Sequence, residues 1–431
     1  MRLIAAFLFL QLALPAWCEE PISTWFNGTK DRWIEQYKWL HTHPELSFEE
    51  ANTAKRMATA YRDAGFEVTK NVGGHGVVAM LANGEGPTVM LRCDMDALPI
   101  REQTLLPYAS TATAKDEAGI DTPTMHACGH DIHMTVSIAT ANFLSTHRDQ
   151  WSGTLMLIAQ PAEERGSGAT AMLGDGLFTR FPKPDYALAL HVGSEDQAGT
   201  VKLLGGYTQA NVDSVDITMK GRGGHGSKPH TTIDPIVQAA DLIMSLQMIV
   251  AREIDPQAPA VVTVGSIHGG TKHNIIGDQC HLQLTVRSYS NDVREHLLES
   301  IRRRANAIAL AYNAPEPEVT ISEGTPSLRN DDALVDRLRS AFESELGKQN
   351  VGRSEPSMGG EDFSQYGLAG VPICLYRLGT IDAKRLKRFE RMELPLPSLH
   401  SALYYPDPEK SLLTGVRTMA AGALELMPPR S

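Results

Sequence analysis

The chain has 431 residues, 42% hydrophobic and 21% charged, with 36 glycines and 25 prolines. That length exceeds one ordinary hydrophobic core, and the profile excludes a disordered or fibrous protein. A formal charge of −11 disfavours nucleic acid and anionic membrane surfaces as partners.

Met1 to Cys18 carries one basic residue, Arg2, an apolar run from Leu3 to Leu14, then Pro15 and the small residues Ala16 and Cys18 around Trp17. The run is too short for a membrane helix and reads as a signal peptide over residues 1–18. The processed chain is therefore expected to be exported, to the periplasm or the medium, with no membrane attachment. Processing takes the charge from −11 to −12 and leaves Cys93, Cys128, Cys280 and Cys374, too few and too scattered for a disulfide-built scaffold.

Two amphipathic helices come next, Lys30 to Leu40 with Trp33, Ile34, Tyr37 and Leu40 on one face, and Ala51 to Tyr61 with Ala54, Met57 and Ala58. Apolar strands are predicted at Gly76 to Leu81, Pro87 to Arg92, Gly153 to Gln160 and Asp185 to His191, with a helix over Asp131 to Leu144. That alternation implies an α/β sheet covered on both faces. From Gly206 the pattern changes to strand Val212 to Lys220, helix Ile233 to Ile254, strands Ala260 to His268 and Gln279 to Tyr289, helix Val293 to Tyr312 and strand Glu316 to Glu323. This βαββαβ order is that of a ferredoxin-like unit, inserted over residues 206–324 between two parts of one domain, 19–205 and 325–431. The second part contributes helix Asp332 to Leu346, strand Pro372 to Leu378 and a last helix Glu409 to Leu426.

The densest chemistry is Met125-His126-Ala127-Cys128-Gly129-His130-Asp131-Ile132-His133, with three imidazoles, a thiol and a carboxylate ahead of a helix. Cys and His are soft and borderline metal ligands, and Gly129 lets the backbone bend so that Cys128 and His130 face one centre. A polar helix start with capping histidines is the plainer alternative for this segment alone. Glu163 and Glu164 follow an apolar strand; in extended structure they would point oppositely, one to bind metal and the other to act on water as a base. An isolated pair of this kind would read as a solvated loop. Asp94 and Asp96 follow a second strand, and His191 follows a third. Sites in open α/β sheets form beyond the carboxyl ends of strands, so these segments are expected to converge in one crevice.

With these residues in place the chain resembles the metallopeptidase family of aminoacylases and carboxypeptidase G, in the branch of hippurate hydrolase and plant auxin-conjugate amidohydrolases. The matching segments run in order along the processed chain: His43-Pro44-Glu45-Leu46-Ser47, Asp94-Met95-Asp96-Ala97-Leu98-Pro99, Met125 to His133, Gln160 to Gly166, Leu190-His191-Val192 and Gly223 to His230. Asn274-Ile275-Ile276, Met358 to Phe363 and Leu399-His400-Ser401 complete the series.

The resemblance implies a zinc-peptidase-like α/β catalytic domain whose ferredoxin-like insert serves as lid and dimerisation module. It implies five metal ligands, Cys128 bridging two divalent ions, then His130, Glu164, His191 and His400. Glu163 is implied as general base and Asp96 as the carboxylate that orients a ligand imidazole. His225 would reach across a homodimer to the carbonyl oxygen, Asn274 would contact substrate, and Arg287 would pair with the substrate carboxylate. Zinc and manganese suit the mixed donor set, as do cobalt and nickel.

The expected reaction is metal-assisted hydrolysis of N-acyl amino acids, hippurate-like or aromatic acyl conjugates. A dipeptidase or carboxypeptidase on the same site is the rival within enzymes, and an exported metal or peptide binding protein is the rival outside them. Against the branch pattern, Gly277 stands where proline is common and Gly360 where serine is. The bulky stretch Leu403-Tyr404-Tyr405-Pro406 is expected to reshape the acyl pocket.

Overall fold

A computed structural model describes residues 21–115 and 118–430, so the expected signal peptide lies outside the described residues. The first helix, Pro21–Thr42, extends nine residues earlier than Lys30 because Ile22 and Phe26 continue the face of Trp33, Tyr37 and Leu40 into the core. It and helices Ala51–Asp63, His130–Thr146, Asp332–Leu346 and Pro408–Leu426 cover one face of an eight-stranded mixed sheet.

Strand Gly153–Gln160 explains why these strands read as continuous apolar runs. Leu155, Leu157 and Ala159 face the helices with Val77, Ala79 and Leu81 of the adjacent strand. Met156 and Ile158 face the other way, against Met90, Ala187, Ala189, Met172, Phe363 and Tyr366. A strand buried on both faces has no polar alternation to show. Each such large side chain contributes about 1.5–3 kcal/mol relative to exposure.

Strand Thr88–Asp94 lies between Gly153–Gln160 and Tyr186–Gln197 and is parallel to both, and Ile373–Ile381 continues the parallel set beside Tyr186–Gln197. Their carboxyl ends therefore share one sheet edge. Edge strand Glu67–Val72 and helix Ala383–Arg391 were not anticipated from the sequence. The helix begins where the Asp382 side chain accepts from the Lys384 and Arg385 amides.

The insert is a four-stranded antiparallel sheet in the order Ala260–Gly269, Gln279–Ser288, Asn211–Lys220, Glu318–Glu323, the ferredoxin-like arrangement. Helices Pro235–Arg252 and Asn291–Ala311 pack on one face, burying Leu242, Leu246, Leu297 and Ile301 against Val215, Ile217, Leu282 and Leu284. Asp234 and Ser290 start the two helices, accepting from the Ile236 and Val237 amides and from the Val293 amide. The chain enters and leaves this unit through strands Gly206–Gln209 and Leu328–Asn330, which pair with each other.

Candidate metal centre

Three elements converge at the carboxyl edge of the parallel strands. Gly129 precedes helix His130–Thr146 in the left-handed conformation, φ 73°, and a Cβ there would lie 2.7 Å from Val192 Cγ2. Both facts require glycine. The turn brings the Cys128 thiol and the His130 imidazole to His191, and the three donor atoms lie within 4.8 Å of one another. Cys128 also lies within 4.8 Å of Glu164 and His400, so one sulfur belongs to two donor sets.

The tautomers follow from the neighbours. His130 Nδ1 donates to the Asp96 carbonyl oxygen at 2.8 Å, and His191 Nδ1 donates to the Val192 carbonyl oxygen at 2.9 Å. The Nε2 atoms are then the free donors; that of His191 stands 3.5 Å from Cys128 Sγ. His400 arrives from far along the chain in a left-handed backbone, φ 64°, with its amide donating to the Ala127 carbonyl at 3.0 Å and Nε2 3.4 Å from Glu164.

The donors fit divalent cations. His130 Nε2 and Glu164 Oε1 are buried without a hydrogen-bond partner among the described residues. Burial pushes Glu164 up to about 7 and the Cys128 thiol well above its usual range. At His130 burial opposes the charged form, but Asp96 and Asp94 outweigh it and raise the group to about 10. All three shifts retain protons, through burial at Glu164 and Cys128 and through the Asp96 and Asp94 carboxylates at His130, and bound cations would displace those protons.

Glu163 and Glu164 are not in extended structure, a correction to the sequence expectation. Residues Glu163–Arg165 form a single 3-10 turn after Ala162, which has φ 51°. The turn gives the two carboxylates different neighbours: Glu164 lies within 4.8 Å of Cys128 and His400 and Glu163 within 4.8 Å of Glu361 and Asp362, while both lie within 4.8 Å of His130 and of each other. Burial first, then the Glu361 charge, holds Glu163 well above the usual carboxylate range.

Behind Glu163 lies a network that sequence reading missed. Arg92, fully buried in its strand, pairs with Asp94 at 2.5 Å and with Glu361 and Asp362 at 2.9 Å each. Gln160 ties the group together, accepting from Arg92 and donating to Asp362. The signal was a lone arginine inside the apolar run Val89 to Cys93, which cannot be buried without carboxylates to meet it.

The nine-residue cluster divides in three. His130 faces the donors. His133 donates from Nδ1 to Asp94 at 3.2 Å and accepts the Val192 amide at 3.0 Å, so both its nitrogens are engaged. His126 is buried with neither nitrogen bonded among the described residues, and burial lowers it to about 4. Asp96 accepts from Ser47 at 2.6 Å and from the Glu164 amide at 2.9 Å, and its carboxylate lies 3.4 Å from His130 Nδ1.

A cavity of about 620 Å³ opens above the donors, between the two sheets. Arg287 lines it while donating to the Met358 carbonyl at 2.6 Å. His225 and Asn274 do not line it. They sit together on an exposed outer edge of the insert, where the short strand Gly224–His225 pairs with Ile275–Ile276, Gly226 donates to the Asn274 carbonyl and the Ser227 hydroxyl lies 2.8 Å from His225 Nδ1. Leu403, Tyr404 and Tyr405 also lie elsewhere, contrary to expectation, lining a separate groove of about 550 Å³ with Arg385 and Phe389. Tyr404 is drawn inward by its hydroxyl contact with Thr380 at 3.0 Å.

Residues 90–396 match the family model for peptidase family M20/M25/M40. The chain is 39% identical over 331 residues to hippurate hydrolase of Campylobacter jejuni, covering 75% of this chain and 82% of that one. It is 36% identical over 358 residues to thermostable carboxypeptidase 1 of Saccharolobus solfataricus, covering 82% and 87%. Its structure matches that of a dinuclear metal binding peptidase from the M20 family of Bacillus subtilis with a TM-score of 0.77 at 31% identity, covering 93% and 99%.

Proposed function

Because the chain belongs to peptidase family M20/M25/M40, we propose that it is a two-metal amidohydrolase cleaving N-acyl amino acids into a carboxylic acid and a free amino acid. The observation that carries this reading is the Cys128 thiol shared by two donor sets, with Glu163 beside it and an open cavity above. Cys128, His130, Glu164, His191 and His400 would hold the ions, of which zinc or manganese suits the donors best and cobalt or nickel also fits. Bound there, the ions would polarise the amide carbonyl and make water a stronger acid.

The chain's own groups divide the remaining work. Glu163 takes the proton of the attacking water and returns it to the departing amine. Its burial beside Glu361 raises its proton affinity, which suits the first step better than an ordinary carboxylate would. Asp96 fixes the His130 ring. Arg287 offers a guanidinium to the substrate carboxylate. His225, held away from its own cavity, would donate to the oxyanion from a second copy of the chain, with Asn274 beside it as a substrate contact. That role makes the homodimer and the lid part of the same proposal.

Hippurate-like and aromatic acyl conjugates, the auxin-conjugate type among them, are the first substrates to try, and similarity to a hippurate hydrolase supports that choice. Similarity to a carboxypeptidase supports the rival reading, in which the amine side of the scissile bond is free. A binding protein without turnover has no use for a buried base beside its ligands. The apolar stretch within residues 1–18 supports a reading in which the enzyme is exported. No described helix is long and apolar enough to cross a membrane.

The test is hydrolysis of a panel containing benzoyl-glycine, other N-acyl amino acids and unacylated dipeptides by metal-depleted protein reloaded with zinc or manganese. Metal-dependent release of amino acid from acyl conjugates supports the proposal. Cleavage of dipeptides alone transfers it to the peptidase, and metal binding without cleavage of any member sinks it.

A further inference from the structure

Arg377 is the one residue of strand Ile373–Ile381 that is not buried. It is the register partner of His191 across the parallel pair, so its side chain rises from the sheet on the same side as a candidate ligand. It lines the cavity together with Cys128, Glu163, Glu164 and His400.

No hydrogen bond or ion pair engages Arg377 among the described residues, whereas the other cationic side chains near it have partners. Lys202, its register neighbour on the other side, is held by Asp196 at 2.5 Å. Arg92 has three carboxylates and Arg287 has the Met358 carbonyl. The nearby acids Glu163 and Glu164 have the base and ligand work described above. A half-buried guanidinium without a counter-ion is costly, and its planar fork matches a carboxylate in two parallel hydrogen bonds. The cavity lining holds no phenylalanine, tyrosine or tryptophan, and its aromatic rings are the His191 and His400 imidazoles.

We infer that Arg377 is a second carboxylate-binding point, facing Arg287 across the cavity, and that the favoured substrates are N-acyl amino acids bearing a second carboxylate. This rests on the amidohydrolase reading and deepens it. Arg287 rises from the inserted sheet and Arg377 from the central one, so a dianionic substrate would be held at two points with its amide over the donor cluster. The second carboxylate can belong to the amino-acid side chain or to the acyl group, since both leave the amide in opposite directions.

Matched pairs separate the two: N-acetylglutamate against N-acetylglutamine, and N-succinylglycine against its terminal amide. Steady-state kinetics on the metal-loaded wild type and on Arg377→Met should show kcat/KM for the charged member at least about tenfold above its neutral partner in one pair. In the variant that ratio should fall to about one, mainly through KM, and Arg377→Lys should restore part of it. No preference in wild type, or an equal loss on both members in the variant, overturns the inference. If benzoyl-glycine and every other conjugate go uncleaved, the amidohydrolase reading has failed, and calorimetry then decides Arg377 alone. Glutarate binding tighter than butyrate in wild type and not in Arg377→Met supports the second point; equal binding overturns it.

Discussion

The Nδ1 atom of His130 lies 2.8 Å from the main-chain oxygen of Asp96, and the Asp96 carboxylate lies 3.4 Å from the same nitrogen. One residue thus fixes both the tautomer and the tilt of the ring, leaving Nε2 for a cation. Asp96→Ala is expected to weaken metal binding by about 10–100-fold while keeping the fold. Competition against a chromophoric chelator measures it; an unchanged affinity would mean that the main-chain contact alone suffices.

Cys128 is the only atom common to the two donor sets Cys128, His130, His191 and Cys128, Glu164, His400. Cys128→Ala should therefore lower the metal content of purified protein by more than one ion's worth of affinity, affecting both positions. Elemental analysis after dialysis reads this directly. Full retention of metal would show that the sulfur is a bystander.

Glu163 and Glu164 are adjacent in sequence, but their variants should behave differently. Glu163→Gln is expected to keep its metal and lose about 10²–10⁴-fold in kcat. Glu164→Gln should lose metal first and activity as a consequence, so that excess metal rescues it in part. Parallel metal analysis and single-turnover hydrolysis distinguish the two; rescue of Glu163→Gln by metal would reverse the assignment.

His41 is buried between Asp131, 2.7 Å from Nδ1, and Glu102, 3.1 Å from Nε2. Burial alone would lower it, but the two carboxylates outweigh burial and raise it from 6.5 to about 9. A raised folded-state pKa stabilises most at pH below 6.5, and the contribution is lost as pH rises through about 9. Asp131 and Glu102 are held below their ordinary range despite burial, so their share is lost only as pH falls through the acid range. Stability of the wild type, followed by thermal melts, should fall between neutral pH and pH of about 9.5 by about 2 kcal/mol. In His41→Gln that slope should flatten; an unchanged slope would place the titration elsewhere.

The sequence was sufficient wherever a local pattern implied its own structure. Continuous apolar runs marked the strands of the central sheet, and Gly153–Gln160 occupies its predicted bounds. The βαββαβ unit was legible because each helix and strand there has one buried face, and so keeps a period of its own. Cys128, His130, Glu164 and His191 drew notice because polar residues crowd at the ends of apolar strands, where a sheet gathers its ligands. His400 was found through resemblance alone; nothing local distinguishes Ser398-Leu399-His400-Ser401 from an ordinary turn.

What only the tertiary structure decided were relationships between distant segments. The pairing of Arg92 with Glu361 and Asp362 spans some 270 positions, and no periodicity links the two ends. The 3-10 turn at Glu163 depends on the left-handed Ala162, packed where the Glu50 side chain accepts its amide at 2.8 Å. Arg377 lacks a counter-ion only because of where its neighbours' own partners fall. Burial makes an unpaired charge expensive, so the fold reveals a binding point by what it leaves unmatched, and that is visible only once every other pair is in place.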